Sequence, residues 1–167
     1  MGSVTLRDLT SSDASWIAEA CTDSEILRWT LVPRPYTRAH AEQFVNYRAG
    51  ELCVWVIDDG TPGRGAGVIS IHRVDAATGA ANIGYWVAPW ARRRGLAAAA
   101  VRELVRIATA AGTATAFSAL IAETNSASRR VAESAGFALA PPDDIPETCP
   151  DGECQVTALR YVLRTGG

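Results

Sequence analysis

Three strand-like segments in close succession constrain the fold more than any other feature of the sequence. Residues 52–57, 66–74 and 81–87 are mostly apolar, and Gly-containing turns separate them. Runs of this length joined by short turns form neighbouring antiparallel strands. The sequence therefore predicts a three-stranded antiparallel meander near the middle of the chain.

The segment after the meander predicts a crossover connection. Apolar residues recur at helical spacing across residues 96–111, and Gly112 suits a helix C-terminus. Residues 116–122 are another apolar, strand-like run. Because a helix that links two strands of one sheet makes a right-handed crossover, we expect strands 81–87 and 116–122 to be parallel neighbours.

In the N-terminal part of the chain, apolar and polar residues alternate less regularly. It predicts a short strand at residues 4–8, followed by helical stretches at 11–21, 24–29 and 37–50. Helices and strands mixed in this order indicate an α/β (α+β mixed) sheet rather than a doubly wound one.

The C-terminal part predicts one more helix and one more strand. Asn125 can cap a helix that stops at Gly136, where a glycine suits the left-handed C′ position. A Pro- and Asp-rich loop at residues 141–152 and a closing strand at 155–163 follow. With no repeat and no long linker, we expect a single domain over residues 1–167.

Composition excludes several classes of partner. The net charge of −2 lacks the strongly basic character of a nucleic-acid-binding domain. No apolar run reaches the length of a membrane span, and the first residues lack the pattern of a signal peptide. We therefore expect a cytoplasmic protein without a nucleic-acid or membrane partner.

The cysteines do not predict a metal site. Cys149 and Cys154 are separated by four residues, and no second Cys/His pair completes a tetrahedral zinc site. A disulfide between them is disfavoured in a reducing cytosol. Cys21 and Cys53 lie in apolar segments and are interpreted as core residues. We therefore expect no metal.

An arginine cluster stands where a helix is about to begin. Arg92, Arg93 and Arg94 precede the predicted helix, although the partial positive charge of a helix N-terminus disfavours cations there. A bound polyanion would reverse that argument, and Gly95 would let the backbone approach a phosphate. Because every basic residue of the chain is arginine, a solvated basic loop stays open as the alternative.

These residues resemble a known family. Residues 92–97 (RRRGLA) are similar to the Arg/Gln-x-x-Gly-x-Gly/Ala signature of the GCN5-related N-acetyltransferases (GNAT). Residues 83–87 (IGYWV), 125–128 (NSAS) and 135–137 (AGF) resemble the branch that includes the ribosomal-protein N-terminal acetyltransferases (RimJ/RimL-like). The resemblance extends over nearly the whole chain in element order.

The resemblance implies both a fold and an activity. The fold would have a mostly antiparallel sheet of about six to seven strands with a splayed parallel pair, flanked by about four helices. The activity would be acetyl transfer from acetyl-CoA, as co-substrate, to a primary amine in a ternary complex. The acceptor would be a protein N-terminus or a small-molecule amine, and the protein would be a monomer or a homodimer.

The resemblance also implies where the coenzyme binds. Its pantetheine arm would run beside the strand that ends at Val87, and its phosphates would lie on the arginine loop and the first helical turn. The implied coenzyme-binding residues are Tyr85, Trp86, Val87, Arg92, Arg93, Arg94, Gly95, Leu96, Ala97, Ala98, Asn125, Ser128 and Arg130.

The catalytic groups of the family are matched poorly. A tyrosine often used as the acid is replaced by Ala132, and a glutamate common before Ile-Gly-Tyr is replaced by Asn82. By analogy, Ser128 would protonate the leaving thiolate. Glu123, Asp144 and Glu147 are candidate bases, and a water chain is the alternative. The histidine in the strand 66–74 is interpreted as structural, and the one in the helix 37–50 as exposed.

The departures at these two positions leave other functions open. Without the usual Tyr and Glu, the chain could be a catalytically weak acyl-CoA-binding sensor or an interaction module. An unrelated α/β protein with a basic loop is a third possibility.

Overall fold

A computed structural model describes residues 3–166 as helices packed on both faces of one sheet. The strands are β1 Thr5–Arg7, β2 Cys53–Asp58, β3 Gly67–Val74, β4 Ala80–Val87, β5 Ala116–Ala122, β6 Ala138–Leu139, β7 Thr148–Asp151 and β8 Cys154–Arg164. The α-helices are α1 Ala14–Ala20, α2 Ser24–Trp29, α3 Arg38–Tyr47, α4 Leu96–Ala110 and α5 Ser126–Ser134. None of the helices described is long and apolar enough to cross a membrane.

The sheet has the predicted mixed topology. Its strand order is β1-β2-β3-β4-β5-β8-β6, and β7 pairs with β8. The meander β2-β3-β4 is antiparallel, and α4 leads from β4 to its parallel neighbour β5. The fold class, the meander and the parallel pair are therefore confirmed, although residues 3–166 contain eight strands and five α-helices, slightly more than expected.

Two segments differ from the prediction. The loop predicted at residues 141–152 is wrong at its end, because Thr148–Asp151 form β7 and pair with β8. Pro150 hid this strand, yet β7 tolerates a proline because, within residues 3–166, it pairs with β8 alone and is an edge strand. Helix α3 ends at Tyr47 rather than at residue 50, since Arg48 and Ala49 adopt positive φ.

Two apolar cores hold the layers together. On one face, α4 and α5 pack on the sheet through buried residues such as Leu104, Phe117 and Tyr161. On the other face, α1, α2 and α3 bury Trp16, Ile17 and their neighbours against β2 and β3. Alternating side chains of the same strands serve both cores, as the two-residue period of a strand requires.

The parallel pair separates after a short stretch. Strand β4 pairs with β5 only from Ala80 to Asn82, opposite Ala116 to Ser118. At the last paired position, the Asn82 amide donates a hydrogen bond to Ser118 Oγ at 3.2 Å, and both residues are buried. Beyond this point the two strands diverge, and each keeps its pairing with its other neighbour, β3 or β8.

A buried carboxylate ties β1 to α1. Asp13 is 2% exposed and accepts hydrogen bonds from both Arg7 Nη atoms, Trp16 Nε1 and the Thr10 N–H, at 2.7 to 2.9 Å. Burial alone would raise the pKa of Asp13. The bonds from Arg7, Trp16 and Thr10 outweigh burial and lower the pKa to about 2.

We predict that Asp13→Asn lowers the free energy of unfolding by about 2 kcal/mol at pH 7. The pKa of Asp13 is lower in the folded state than in the unfolded state, so its contribution is complete above about pH 5 and is lost as the pH falls toward 2. Urea unfolding at several pH values measures this difference. Asp8→Asn, at an exposed neighbour, is the control, and an Asp13→Asn deficit that does not shrink in acid would contradict the prediction.

Candidate active site

A cleft of about 1600 Å³ opens where β4 and β5 diverge. One side of it is formed by β4, β5, the start of α4 and part of α5. The other side is formed by α2, α3, the segment between them, and Cys149 and Pro150 of β7. The divergence of one strand pair thus creates a large concave surface lined by segments from most of the chain.

The β4 wall of the cleft presents unpaired backbone. Ala80 and Ala88 bond through their backbone to the β3 side of the sheet. Because alternate residues of a strand direct their N–H and C=O to opposite edges, Ile83, Tyr85 and Val87 direct theirs into the cleft. A segment of extended ligand could therefore add to β4 as a strand does.

The N-terminus of α4 opens onto the same cleft. Gly95 is the N-cap residue with φ of +71°, and it has no side chain with which to cap the helix. Leu96, Ala97 and Ala98 form the first turn and line the cleft. The unpaired N–H groups and the dipole of this 15-residue helix favour an anion at this end.

The three arginines of the preceding loop have different roles. Arg92 binds the Asp23 carboxylate at 2.5 and 3.3 Å, and Arg94 binds Asp59 at 2.7 Å. Arg92 and Arg93 line the cleft, whereas Arg94 does not. The prediction that all three arginines face one ligand therefore lacks support for Arg94, because a carboxylate of the β2–β3 connection holds it.

Arg93 differs from its two neighbours. It is exposed, has a φ of +61° and forms no ion pair with any residue in the range 3–166. Arg130 on α5 likewise lines the cleft and has no ion pair within that range. These two guanidinium groups are available to a ligand without the loss of a protein carboxylate partner.

Helix α5 contributes a hydroxyl pair. Asn125 is its N-cap, and its Oδ1 accepts the Ser128 N–H at 3.1 Å. Tyr85 donates to the Ser128 carbonyl at 3.1 Å, and its hydroxyl lies 3.0 Å from Ser128 Oγ. Burial raises the pKa of Tyr85 to about 12, so both hydroxyls stay protonated at neutral pH.

The predicted carboxylates do not reach the cleft. Glu147 is exposed and binds Arg160 at 3.1 Å. Glu123 is exposed, and its carbonyl accepts a bond from Arg129. Neither residue lines the cleft, so their proposed role as bases has no support from the geometry. Ala132, at the position of the missing tyrosine, is buried in the core.

A histidine–carboxylate pair that the sequence did not single out does line the cleft. His72 Nδ1 lies 2.5 Å from Glu51 Oε2, and both residues face the space near Gly84. Their pairing joins the start of β2 to β3 across 21 positions in the chain. No local pattern connects these two residues, and the strand-like context of His72 suggested only packing.

The four cysteines are not arranged as a disulfide or a metal site within residues 3–166. Cys21, Cys53, Cys149 and Cys154 are all free thiols, and Cys149 lies on the wall of the cleft that α2, α3 and β7 form. Burial raises the pKa of Cys149, which keeps it protonated at neutral pH. Over residues 3–166, no group of three or more His, Cys, Asp or Glu side chains is arranged to hold a metal ion.

The arrangement of a splayed parallel pair next to a helix N-terminus defines a GNAT fold. The family model of the acetyltransferase (GNAT) domain matches residues 3–138. The chain therefore belongs to the GNAT acetyltransferase family, which confirms the resemblance read from residues 92–97. Family membership places it among the acetyltransferase enzymes.

Several solved structures share this fold. The microcin C7 self-immunity acetyltransferase MccE, in complex with acetyl-CoA and AMP, has a TM-score of 0.79 at 19% identity, covering 97% of this chain and 92% of its own. RimL, a ribosomal L7/L12 α-N-protein acetyltransferase in complex with coenzyme A, has a TM-score of 0.80 at 19% identity, covering 98% and 94%. The aminoglycoside acetyltransferase AAC(6′)-Ib, in complex with acetyl-CoA and an aminoglycoside, has a TM-score of 0.77 at 23% identity, and the match covers 97% of this chain and 93% of its own.

These similarities establish the fold and leave the acceptor open. All three identities are below 25%, and besides the coenzyme the names of the three complexes include different molecules, which are AMP, a ribosomal protein and an aminoglycoside. No curated protein is similar enough in sequence to be matched to the chain.

We predict that Tyr85→Phe lowers the free energy of unfolding by about 1 kcal/mol at pH 7, because a partly buried hydrogen bond to Ser128 is lost. The pKa of Tyr85 is higher in the folded state than the unfolded value of about 10, so its stabilising contribution is lost as the pH rises from 10 toward 12. Wild type and variant should therefore converge in alkaline urea titrations.

The control for this measurement is Tyr47→Phe, at a tyrosine that is 76% exposed. Its stability should match that of wild type at every pH. A Tyr85→Phe variant that behaves like this control would show that the buried hydroxyl pair contributes nothing.

Proposed function

We propose that the chain is an acetyl-CoA-dependent N-acetyltransferase that moves an acetyl group to a primary amine by direct attack in a ternary complex. The observation that carries the proposal is the divergence of β4 from β5 directly beside the uncapped N-terminus of α4. An extended thioester arm and a polyanionic end need these two features side by side. Family membership supports the same reaction class.

The phosphate end of the coenzyme suits the start of α4. The N–H groups of the first turn favour a pyrophosphate, and Gly95 leaves open space where a side chain would stand. Arg93 adds charge without giving up a carboxylate partner, and Arg92 lines the same region. Arg130 on α5 is within the cleft and supports a further phosphate contact.

The pantetheine arm suits the open edge of β4. Its amide groups can pair with the N–H and C=O of Ile83, Tyr85 and Val87, as an added strand pairs with a sheet edge. Asn125 Oδ1 accepts the Ser128 N–H, which leaves the two Nδ2 protons of Asn125 for the arm. Trp86, Leu96, Ala97 and Ala98 complete the wall along which the arm would run.

The chemistry needs an oxyanion donor and a proton for the leaving thiolate. The N–H of Val87 points into the cleft and suits the oxyanion. The acceptor nitrogen forms a bond to the acetyl carbon, the carbon–sulfur bond breaks, and Ser128 protonates the thiolate. The proton that the amine loses returns through water to Ser128. Tyr85 lies 3.0 Å behind Ser128 Oγ and can then donate to that oxygen.

The acceptor would enter from the side formed by α2, α3 and β7. Trp29 and Trp86 line the cleft, and Glu25 and Glu51 place carboxylates near it. Such a surface suits a cationic amine, either a peptide N-terminus or a small molecule. We also propose a single acetyltransferase domain over residues 1–167, a cytoplasmic location, and a monomer or homodimer without nucleic-acid or membrane partners.

We predict that acetyl-CoA and CoA, but neither ATP nor NAD, raise the thermal midpoint. A ligand at 100 times its dissociation constant stabilises the folded state by about 2.7 kcal/mol, which corresponds to several degrees for a domain of this size. A parallel melt with the four ligands measures this directly. Unchanged midpoints with all four ligands would exclude a coenzyme A site.

An amine screen then separates enzyme from sensor. Acetyl transfer to peptides or to small amines, detected through the released thiol, supports the proposed reaction and identifies its acceptor class. A chain that binds acetyl-CoA yet acetylates no amine would instead be an acyl-CoA sensor.

We predict that Gly95→Glu abolishes the coenzyme-induced shift while the protein stays folded. The new carboxylate would stand in open space at the helix N-terminus and repel a phosphate there. Gly95→Asn is the matched control, because Asn tolerates the left-handed conformation at φ +71° and adds no charge. If Gly95→Glu binds as well as Gly95→Asn, this loop is not the phosphate site.

A further inference from the structure

We propose that His72 Nε2 is the general base that takes the proton from the acceptor amine, with Glu51 as its positioning residue. The proposal rests on the acetyl transfer proposed above, because a base is needed only if an amine is acylated. It is carried by three observations: a bulge that aims His72, a carboxylate that fixes its tautomer, and a glycine that makes room for it.

A bulge in β3 turns His72 toward the cleft. Ile71 pairs with Ile83 and Arg73 pairs with Asn82, so His72 is the extra residue of the β3–β4 ladder. Bulges bend a strand locally and re-aim a side chain, and they recur beside active sites. His72 lines the cleft and its side chain is 40% exposed, so the imidazole can exchange protons with water.

Glu51 sets which imidazole nitrogen carries the lone pair. The carboxylate oxygen lies 2.5 Å from Nδ1, so Nδ1 carries a proton and donates it to this bond. In the neutral ring Nε2 is then the acceptor. A carboxylate on the far nitrogen also stabilises the imidazolium that forms once Nε2 takes up a proton.

Gly84 keeps the space in which Nε2 lies. A Cβ placed on Gly84 would collide with Nε2 and Cε1 of His72, so no larger residue fits without displacing the ring. Gly84 stands between Ile83 and Tyr85, whose open backbone edge is the proposed seat of the thioester arm. The basic nitrogen is therefore held against the stretch of β4 where the amine must meet the acetyl group.

The other ionisable groups of the cleft are less suited to this role. His40 Nδ1 accepts the Thr37 N–H at 3.1 Å, so its basic nitrogen is used to cap α3. Glu25 accepts a bond from Trp29 Nε1 at 3.0 Å. Asn82 cannot take a proton. The remaining ionisable residues along the cleft are Tyr36, Tyr47, Glu51, Tyr85, Arg92, Arg93, Arg130 and Cys149.

The proton balance of the proposed step is complete. The neutral amine attacks the thioester carbon, its N–H proton passes to His72 Nε2, and the carbon–sulfur bond breaks. The thiolate takes its proton from Ser128, and the proton of the imidazolium returns through water to Ser128, so both side chains regain their starting protonation states. The products are an N-acetyl amine and free coenzyme A thiol, and no further reactant is needed.

The test compares His72→Gln with wild type in the acetyl transfer assay, using the amine found by the screen. We expect kcat/KM to fall by about 10²- to 10³-fold, in the range for loss of a general base. The acid limb of the pH–rate profile should disappear, while the acetyl-CoA melt shift is retained. Added imidazole should restore part of the rate to His72→Ala.

Two further variants test whether Glu51 and Gly84 position the His72 imidazole. Glu51→Gln should reduce kcat/KM by about 10-fold through kcat while the acetyl-CoA melt shift is retained, because the ring loses the carboxylate that orients it. Gly84→Ala should reduce the rate strongly in wild type and only weakly in His72→Ala, since its effect acts through the displaced ring. Equal effects in both backgrounds would argue against the proposed contact.

Arg73→Gln is the control, because Arg73 is the exposed neighbour of His72 on β3 and does not line the cleft; it should keep both the rate and the pH profile, corrected for folded protein. If wild type transfers acetyl and His72→Gln keeps its rate within about threefold with an unchanged acid limb, His72 is not the base. If wild type itself acetylates no amine, the proposed function fails first, and the assignment of His72 fails with it.

Discussion

The early end of the β4–β5 pairing is the constraint on which the rest of the site depends. Three residues on each strand pair, and the Asn82–Ser118 hydrogen bond closes the fork where they part. Each strand stays in the sheet because β3 and β8 hold its other edge. The cost is a row of unsatisfied backbone groups, which are stable only when water or a ligand pairs with them.

Much of the fold followed from local pattern. The meander, the crossover helix α4 and the cap of α5 were predictable because periodicity and capping residues act within a few positions of the chain. Strand β7 was missed because Pro150 obscures its pattern and because its pairing with β8 depends on register with a partner strand, which no local pattern reveals. The bulge at His72 was also out of reach, since a bulge is defined by register with a partner strand.

The site was predictable where it depends on short motifs. The Gly95 turn, the first turn of α4 and the Asn125–Ser128 step all line the cleft. The arginine loop was only partly interpretable, because Asp23 and Asp59 bind Arg92 and Arg94 from positions far away in the chain. The Glu51–His72 pair was missed for the same reason, because its two residues are 21 positions apart in the chain. Glu123 and Glu147, which the sequence offered as bases, are exposed.

The two walls of the cleft come from different stretches of the chain. The wall proposed for the coenzyme comes from residues 82–134, which run continuously through β4, α4, β5 and α5. Most of the opposite wall comes from α2, α3 and the tip of β7, near the two ends of the sequence, and Asp151 fastens that tip to Arg28 and Thr124. Because the two walls come from separate stretches of the sequence, mutation can reshape the proposed acceptor side while the proposed coenzyme side stays intact, which makes the scaffold evolvable toward new amines.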